Sequence, residues 1–249
     1  MTKSSAYVTR FLSTVLLFTV TAGIVGIITS GEKERTTVAV SAVESKPYVI
    51  VIDPGHGGED PGASSESGVA EKDVNLKISL LCATLLKAAG TDVKLTRSDD
   101  RALYDMYDDL DDYTGRKKSY DLMNRLRFAD DCNADLFVSI HLNKFFQPQC
   151  KGLQVYYSTN APFSESVAQR IQNNVRQFFD PDNERQIKKA TSAIYLLDNI
   201  KISAVLVECG FLSNPVEARD LCEVRYCLDL SAVLCSSLLG SVGNSKGSS

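Results

Sequence analysis

The chain has 249 residues, 44% hydrophobic and 23% charged, an ordinary globular composition that excludes a wholly disordered or collagen-like protein. Its 27 basic and 31 acidic side chains leave a net charge of −4 with no basic stripe, which argues against a nucleic-acid partner. Only two histidines are present, so any task that needs imidazole falls to His56, His141 or both.

Lys3 and Arg10 precede an uncharged run, Phe11 to Thr29. As a helix it would span roughly 28 Å, close to the hydrocarbon thickness of a bilayer. Residues 1–30 are therefore expected to be a signal sequence or an uncleaved membrane anchor, with the remaining chain outside the cytoplasm. Val40 to Ala42 offers small residues for cleavage but lies far from the apolar run. Residues 31–46 read as a linker, 47–240 as one catalytic-sized domain and 241–249 as a disordered tail. Membrane contact is expected only through residues 11–29.

Tyr48 to Asp53 (YVIVID) is a β-branched run that reads as a buried strand. The following PGHGGEDPGA is a loop. Val74, Ile78, Leu81 and Leu85 recur at helical spacing, which predicts a helix over about 71–89 stopped by Gly90. Asp92–Thr96 reads as a strand. Residues 98–114 hold seven aspartates, one arginine and three tyrosines. They read first as a solvated loop and second as a lid or docking element. Calcium binding comes last, because the aspartate spacing misses the EF-hand pattern.

A helix is expected over about 115–133, strands at Asp135–His141 and Leu153–Tyr157, and a helix near 162–179. Further strands are expected at Ala193–Leu197 and Ala204–Val207, then helices near 215–223 and 225–240. Alternating strands and helices imply an α/β three-layer sandwich, with a mostly parallel central sheet and helices on both faces. Sites in such sheets form beyond the carboxyl ends of strands.

The seven cysteines are odd in number and include no CxxC pair, which argues against a disulfide framework and a four-cysteine zinc module. Both histidines follow apolar strands. Gly55, Gly57 and Gly58 flank His56 and let backbone approach a ligand closely. Two imidazoles and one carboxylate leave one position open on zinc, as in catalytic sites. The carboxylate could be Glu59, Asp60, Glu66 or Glu71. Glu71, opening a rigid helix, has the best setting. Glu208 leaves the apolar strand Val205–Val207, where desolvation raises a carboxyl pKa and suits proton transfer. Its neighbour Cys209 invites a thiol-nucleophile reading, but strand neighbours point to opposite faces.

IDPGHGG, Glu71, VSIHLN and LVECGFLSNP resemble, in this order, the motifs of zinc-dependent N-acetylmuramoyl-L-alanine amidases of the amidase-3 type. The resemblance covers about residues 48–240. TRSDDRALYD, the insert before RKKSYDLMNRL, HLN followed by KGLQVYY, and RQIKKATSAIYLL resemble the germination-specific, CwlD-like branch. It implies that His56, Glu71 and His141 bind Zn2+ and that Glu208 is the catalytic carboxylate. Arg125 and Asn143 would be supporting residues. Asp130 stands where the family often has asparagine. The implied reaction is hydrolysis of the amide between N-acetylmuramic acid and L-alanine in peptidoglycan. The implied setting is spore-cortex maturation, with muramic-lactam formation for germination, in the intermembrane space of a developing spore. The implied partners are glycan strands with stem peptides and a regulatory protein. The alternatives are a non-catalytic wall-binding or regulatory module on the same fold, and a zinc peptidase acting on free peptides.

Overall fold

The structure, a computed structural model, describes residues 48–245. The expected signal or anchor and the linker lie outside the described residues. Among the described residues no helix is long and apolar enough to cross a membrane.

Six strands form one sheet: β1 (Val49–Pro54), β2 (Asp92–Leu95), β3 (Leu136–Asn143), β4 (Gln154–Tyr157), β5 (Lys188–Lys189) and β6 (Ser203–Phe211). Their spatial order is β2-β1-β3-β6-β4-β5. β2, β1, β3 and β6 pair in parallel, and β4 runs antiparallel to β6. Helices α1 (Glu71–Ala88), α2 (Lys117–Asp131), α3 (Phe163–Phe178), α4 (Tyr195–Asn199), α5 (Pro215–Asp220) and α6 (Val224–Ser245) complete the described residues.

All of β1 is buried, as expected of a parallel strand covered on both faces. Ile50, Ile52, Val138, Ile140, Val205 and Val207 face one core, which α1, α3 and α6 close with Ile78, Leu86, Ile171, Leu230 and Leu234. Val51, Phe137, Ala204 and Leu206 face the other, which α2 and α4 close with Ala129, Leu196 and Leu197. The three-layer α/β sandwich is therefore as the alternation of elements implies.

Three local expectations differ. Ala193–Leu197 is not a strand: Tyr195–Asn199 is a helix. A short apolar run has no period that separates strand from helix. Here Leu196 and Leu197 meet the sheet from a separate layer. The strand at Lys188–Lys189 has no apolar signal and is defined by its pairing with Tyr156 and Tyr157. The last helix does not stop near Gly240. It runs to Ser245, so 241–245 are helical, and 246–249 lie outside the described residues.

Ile140, 1% exposed at the centre of the sheet, should cost about 2–5 kcal/mol when truncated in Ile140→Ala. Phe178→Ala, at a position 65% exposed, should stay within ~0.5 kcal/mol of the parent. Urea unfolding of the two variants checks the contrast.

Candidate active site

β1, β3 and β6 end side by side, and the site lies beyond their carboxyl ends. His56 is in the loop after β1, Glu71 opens α1, and His141 and Glu208 are register partners on β3 and β6. One ligand atom from each of His56, Glu71 and His141 lies within 4.8 Å of the other two. Glu71 bridges the rings, with Oε2 3.3 Å from His56 Nε2 and Oε1 3.0 Å from His141 Nδ1.

Backbone and side chain fix Glu71 further. Ala63 N–H donates to Oε2 at 2.8 Å, Leu142 N–H to Oε1 at 3.0 Å, and the Asn75 amide to Oε1 at 3.3 Å. Burial opposes the charge of Glu71, yet its contacts with His141 and His56 hold the carboxyl well below its usual range. Asp60 Oδ2 accepts from His56 Nδ1 at 2.9 Å, which orients the ring and leaves Nε2 toward Glu71. Of the four carboxylates open at the sequence level, Glu71 alone joins both histidines. Asp60 braces His56, Glu59 pairs with Lys117 at 2.7 Å, and Glu66 is exposed.

The loop admits this convergence through its glycines. A Cβ on Gly55 would sit 2.3 Å from the His141 ring. One on Gly62, at φ +66°, would sit 2.6 Å from Glu71 Oε2. His56 itself is left-handed at φ 62°, a conformation that costs energy in a non-glycine residue and needs external support.

That support is a buried ion pair with no signal in the local sequence pattern. Arg125 Nη1 donates to Asp53 Oδ1 at 2.6 Å and to the Pro54 carbonyl at 2.9 Å, and Nη2 donates to the His56 carbonyl at 2.8 Å. Its Nε donates to Asp121 at 2.7 Å. Asp53 also accepts from Thr96 at 2.6 Å and Ser139 at 2.7 Å. Arg97 adds bonds to the Pro54 and Gly55 carbonyls. Burial alone would raise the Asp53 pKa, but Arg125 and the two hydroxyls lower it. Its stabilising contribution is therefore full above the ordinary carboxylate range and is lost as pH falls through the lowered value. Arg125 is thus tied to the backbone of the His56 loop. Asn143 closes β3, and its carbonyl accepts from Leu212 N–H at 2.8 Å. Asp130 is exposed on α2.

Glu208 differs from every other acid at the site. Its Oε2 is buried with no hydrogen-bond partner among the described residues. Burial pushes the carboxyl up to about 7, offset in part by His141 and His56. Cys209 faces the opposite core, 1% exposed, and burial holds its thiol well above the usual range. The thiol-nucleophile reading is therefore overturned by the pleat.

A groove of about 360 Å³ leads to the histidines, walled by Tyr104, Leu122 and Leu196 and by the start of α2. The acidic segment 98–114 forms part of its rim and is no free loop. Leu103 is buried, its N–H bonded to Asp121 at 2.6 Å and its carbonyl to Asn124 at 2.7 Å. Tyr107 bonds Asp131 at 2.7 Å. Among the described residues the group of acids and imidazoles suited to a metal is His56, Glu71 and His141, not this segment.

Two imidazoles and a carboxylate converging on one point, with an unpaired carboxyl beside them at the ends of parallel strands, define the class: an α/β enzyme domain with a His–Glu–His group that could bind a metal ion. Residues 50–232 match the family model Amidase_3, described as N-acetylmuramoyl-L-alanine amidase. The germination-specific N-acetylmuramoyl-L-alanine amidase of Bacillus subtilis is 34% identical over 178 residues, 72% of this chain and 73% of that protein. The structure of the CwlD amidase from Clostridioides difficile, in complex with the GerS lipoprotein, aligns at 35% identity with TM-score 0.73. The alignment covers 79% of this chain and 99% of that one. AmiC2 of Nostoc punctiforme aligns at 29% identity and TM-score 0.65 over 80% of this chain and 99% of that one. The chain belongs to the amidase-3 family of N-acetylmuramoyl-L-alanine amidases, enzymes whose substrate is peptidoglycan. Cell-wall substrate places its action outside the cytoplasm.

Arg125→Met should destabilise the domain by about 3–5 kcal/mol, because it strands the buried Asp53 charge. Adding Asp53→Asn should recover part of that loss. A double-mutant cycle by chemical denaturation measures the coupling.

Proposed function

We propose that this enzyme is a zinc-dependent amidase of the spore cortex, with His56, Glu71 and His141 as metal ligands and Glu208 as the catalytic carboxylate. The observation that carries the reading is the unpartnered, buried Glu208 oxygen beside the His–Glu–His cluster. The donor chemistry fits the ion. One nitrogen from each imidazole and one Glu71 oxygen lie within 4.8 Å of one another, a donor set of the kind that would hold zinc.

Zinc, when bound, supplies a Lewis acid that polarises the amide carbonyl and lowers the pKa of water to near 7. The chain supplies the rest. Glu208 accepts a proton from the attacking water and delivers it to the departing nitrogen of L-alanine. Its oxygen has no competing hydrogen bond to break first. Asp60 holds His56 in the tautomer that presents Nε2. Arg125 fixes the His56 carbonyl, and with it the loop.

Likeness to the germination-specific amidase supports a role in cortex maturation, with muramic-lactam formation. The C. difficile relative was solved with a lipoprotein, which supports a regulatory protein partner here. The catalytic unit runs from about residue 47 through the end of α6, exported or anchored by residues 1–30.

Glu208→Gln should retain zinc and lose at least ~100-fold in rate on purified glycan. His56→Ala and His141→Ala should each lose zinc by elemental analysis. Near-normal turnover by the glutamine variant, or full metal in either alanine variant, rejects the assignment. Digested wall should expose a new N-terminal alanine without losing any amino acid.

Acid should slow the enzyme twice over. Protonated Glu208 cannot accept a proton, and protonated imidazoles release metal. A bound cation lowers the Glu208 value further, so the acidic limb of kcat/KM should fall at or below pH 7.

A further inference from the structure

Lys118 is the one charged side chain on the groove lining with no hydrogen bond or ion pair among the described residues. The others are engaged. Lys117 pairs with Glu59 at 2.7 Å and lies 4.8 Å over the Tyr104 ring. Arg125 is held by Asp53 and Asp121. Asp60 is bonded to His56 and to Gly62 N–H. The two histidines contact Glu71. The first turn of α2 carries no acidic residue, and Asp121, three positions beyond Lys118, is taken by Arg125 and by Leu103 N–H. Lys118 lines the same groove as His56 and His141, so this charge belongs to the neighbourhood of the reacting centre.

The substrate's own chemistry says which half an unpaired cation would hold. The lactyl carboxyl of N-acetylmuramic acid is consumed in the scissile amide, and the N-acetyl and hydroxyl groups of the glycan are neutral. Anionic groups therefore lie on the peptide. A chain spans at most about 3.6 Å per residue, so carboxyls on the second peptide residue stay near the reacting centre. An ammonium–carboxylate contact in such a groove is a charge-assisted hydrogen bond of ordinary strength.

We propose that Lys118 is a specificity-determining residue that binds a free carboxylate on the peptide side of the scissile amide. It directs the peptide over the start of α2 and selects stem peptides whose second residue is acidic and unamidated. This rests on the amidase reading of the same groove and adds the orientation of the substrate within it.

The test uses the zinc-loaded full chain and two glycan tetrasaccharides. One bears L-alanyl-D-glutamate. The other bears the same dipeptide with both glutamyl carboxylates converted to carboxamides. Wild type should favour the acid by about tenfold in kcat/KM, mostly through KM, and the preference should shrink as salt rises. Lys118→Met should bring the ratio to about one, Lys118→Arg should keep it, and Lys118→Glu should reverse it. Titration calorimetry of both ligands on Glu208→Gln, with and without Lys118→Met, reads the same preference without turnover. Equal affinity of the parent for the two ligands, or an equal loss of both on Lys118→Met, overturns the proposal. Absence of hydrolysis would instead sink the amidase reading, while calorimetry would still decide the role of Lys118.

Discussion

A buried carboxylate organises this molecule's chemistry. Glu71 is 3% exposed, and an anion at that depth persists only where donors surround it. Two backbone N–H groups and an amide donate to it, and both imidazoles lie within 3.3 Å. These groups come from three places: the loop between β1 and α1, α1 itself and the end of β3. Satisfying one charge therefore fixes the relative position of three elements. Glu71 is held in place because it begins an 18-residue helix whose buried face continues from it through Val74, Ile78 and Leu86 into the core. The hydrophobic layer thus sets the precision of the polar site.

A second charge cluster operates one layer below. Asp53, Arg125, Asp121, Thr96 and Ser139 form a network at the floor of the groove, and its outward bonds go to the carbonyls of Pro54 and His56. A loop rich in glycine has many conformations open to it. The guanidinium chooses one by binding carbonyls that only one path of the chain presents. Such a pair gives little net stability beyond a well-packed apolar substitute, so its value lies in specifying the path.

Much of this was legible in the sequence. The parallel strands, the long helices and the positions of His56, His141 and Glu208 at strand ends follow from apolar runs and their boundaries. Glu208 and Cys209 were separated correctly by the alternation of strand residues. Ala193–Leu197 was not readable, because five apolar residues carry too short a pattern and the packing partner decides. The Asp53–Arg125 contact joins residues 72 positions apart, and local patterns do not encode such a distance. The acidic segment read as solvated because its aspartates dominate the composition. Its fate is set instead by Leu103, Tyr107 and Tyr113, which tie it to α2 and to itself.

His141 and Glu208 face each other across two parallel strands whose pairing runs unbroken from Leu136 and Ser203 up to that point, then shifts before Asn143. Side-chain direction alternates along a strand, so inserting or deleting one residue within β6 ahead of Glu208 would bring Val207 or Cys209 to its place and turn the carboxylate into the wrong core. Length is therefore frozen on the inner strands, whereas the stretch from Lys144 to Gly152, past the irregularity, can grow or shrink without altering that alignment. A change of length has its room there, on the rim, rather than in the frame.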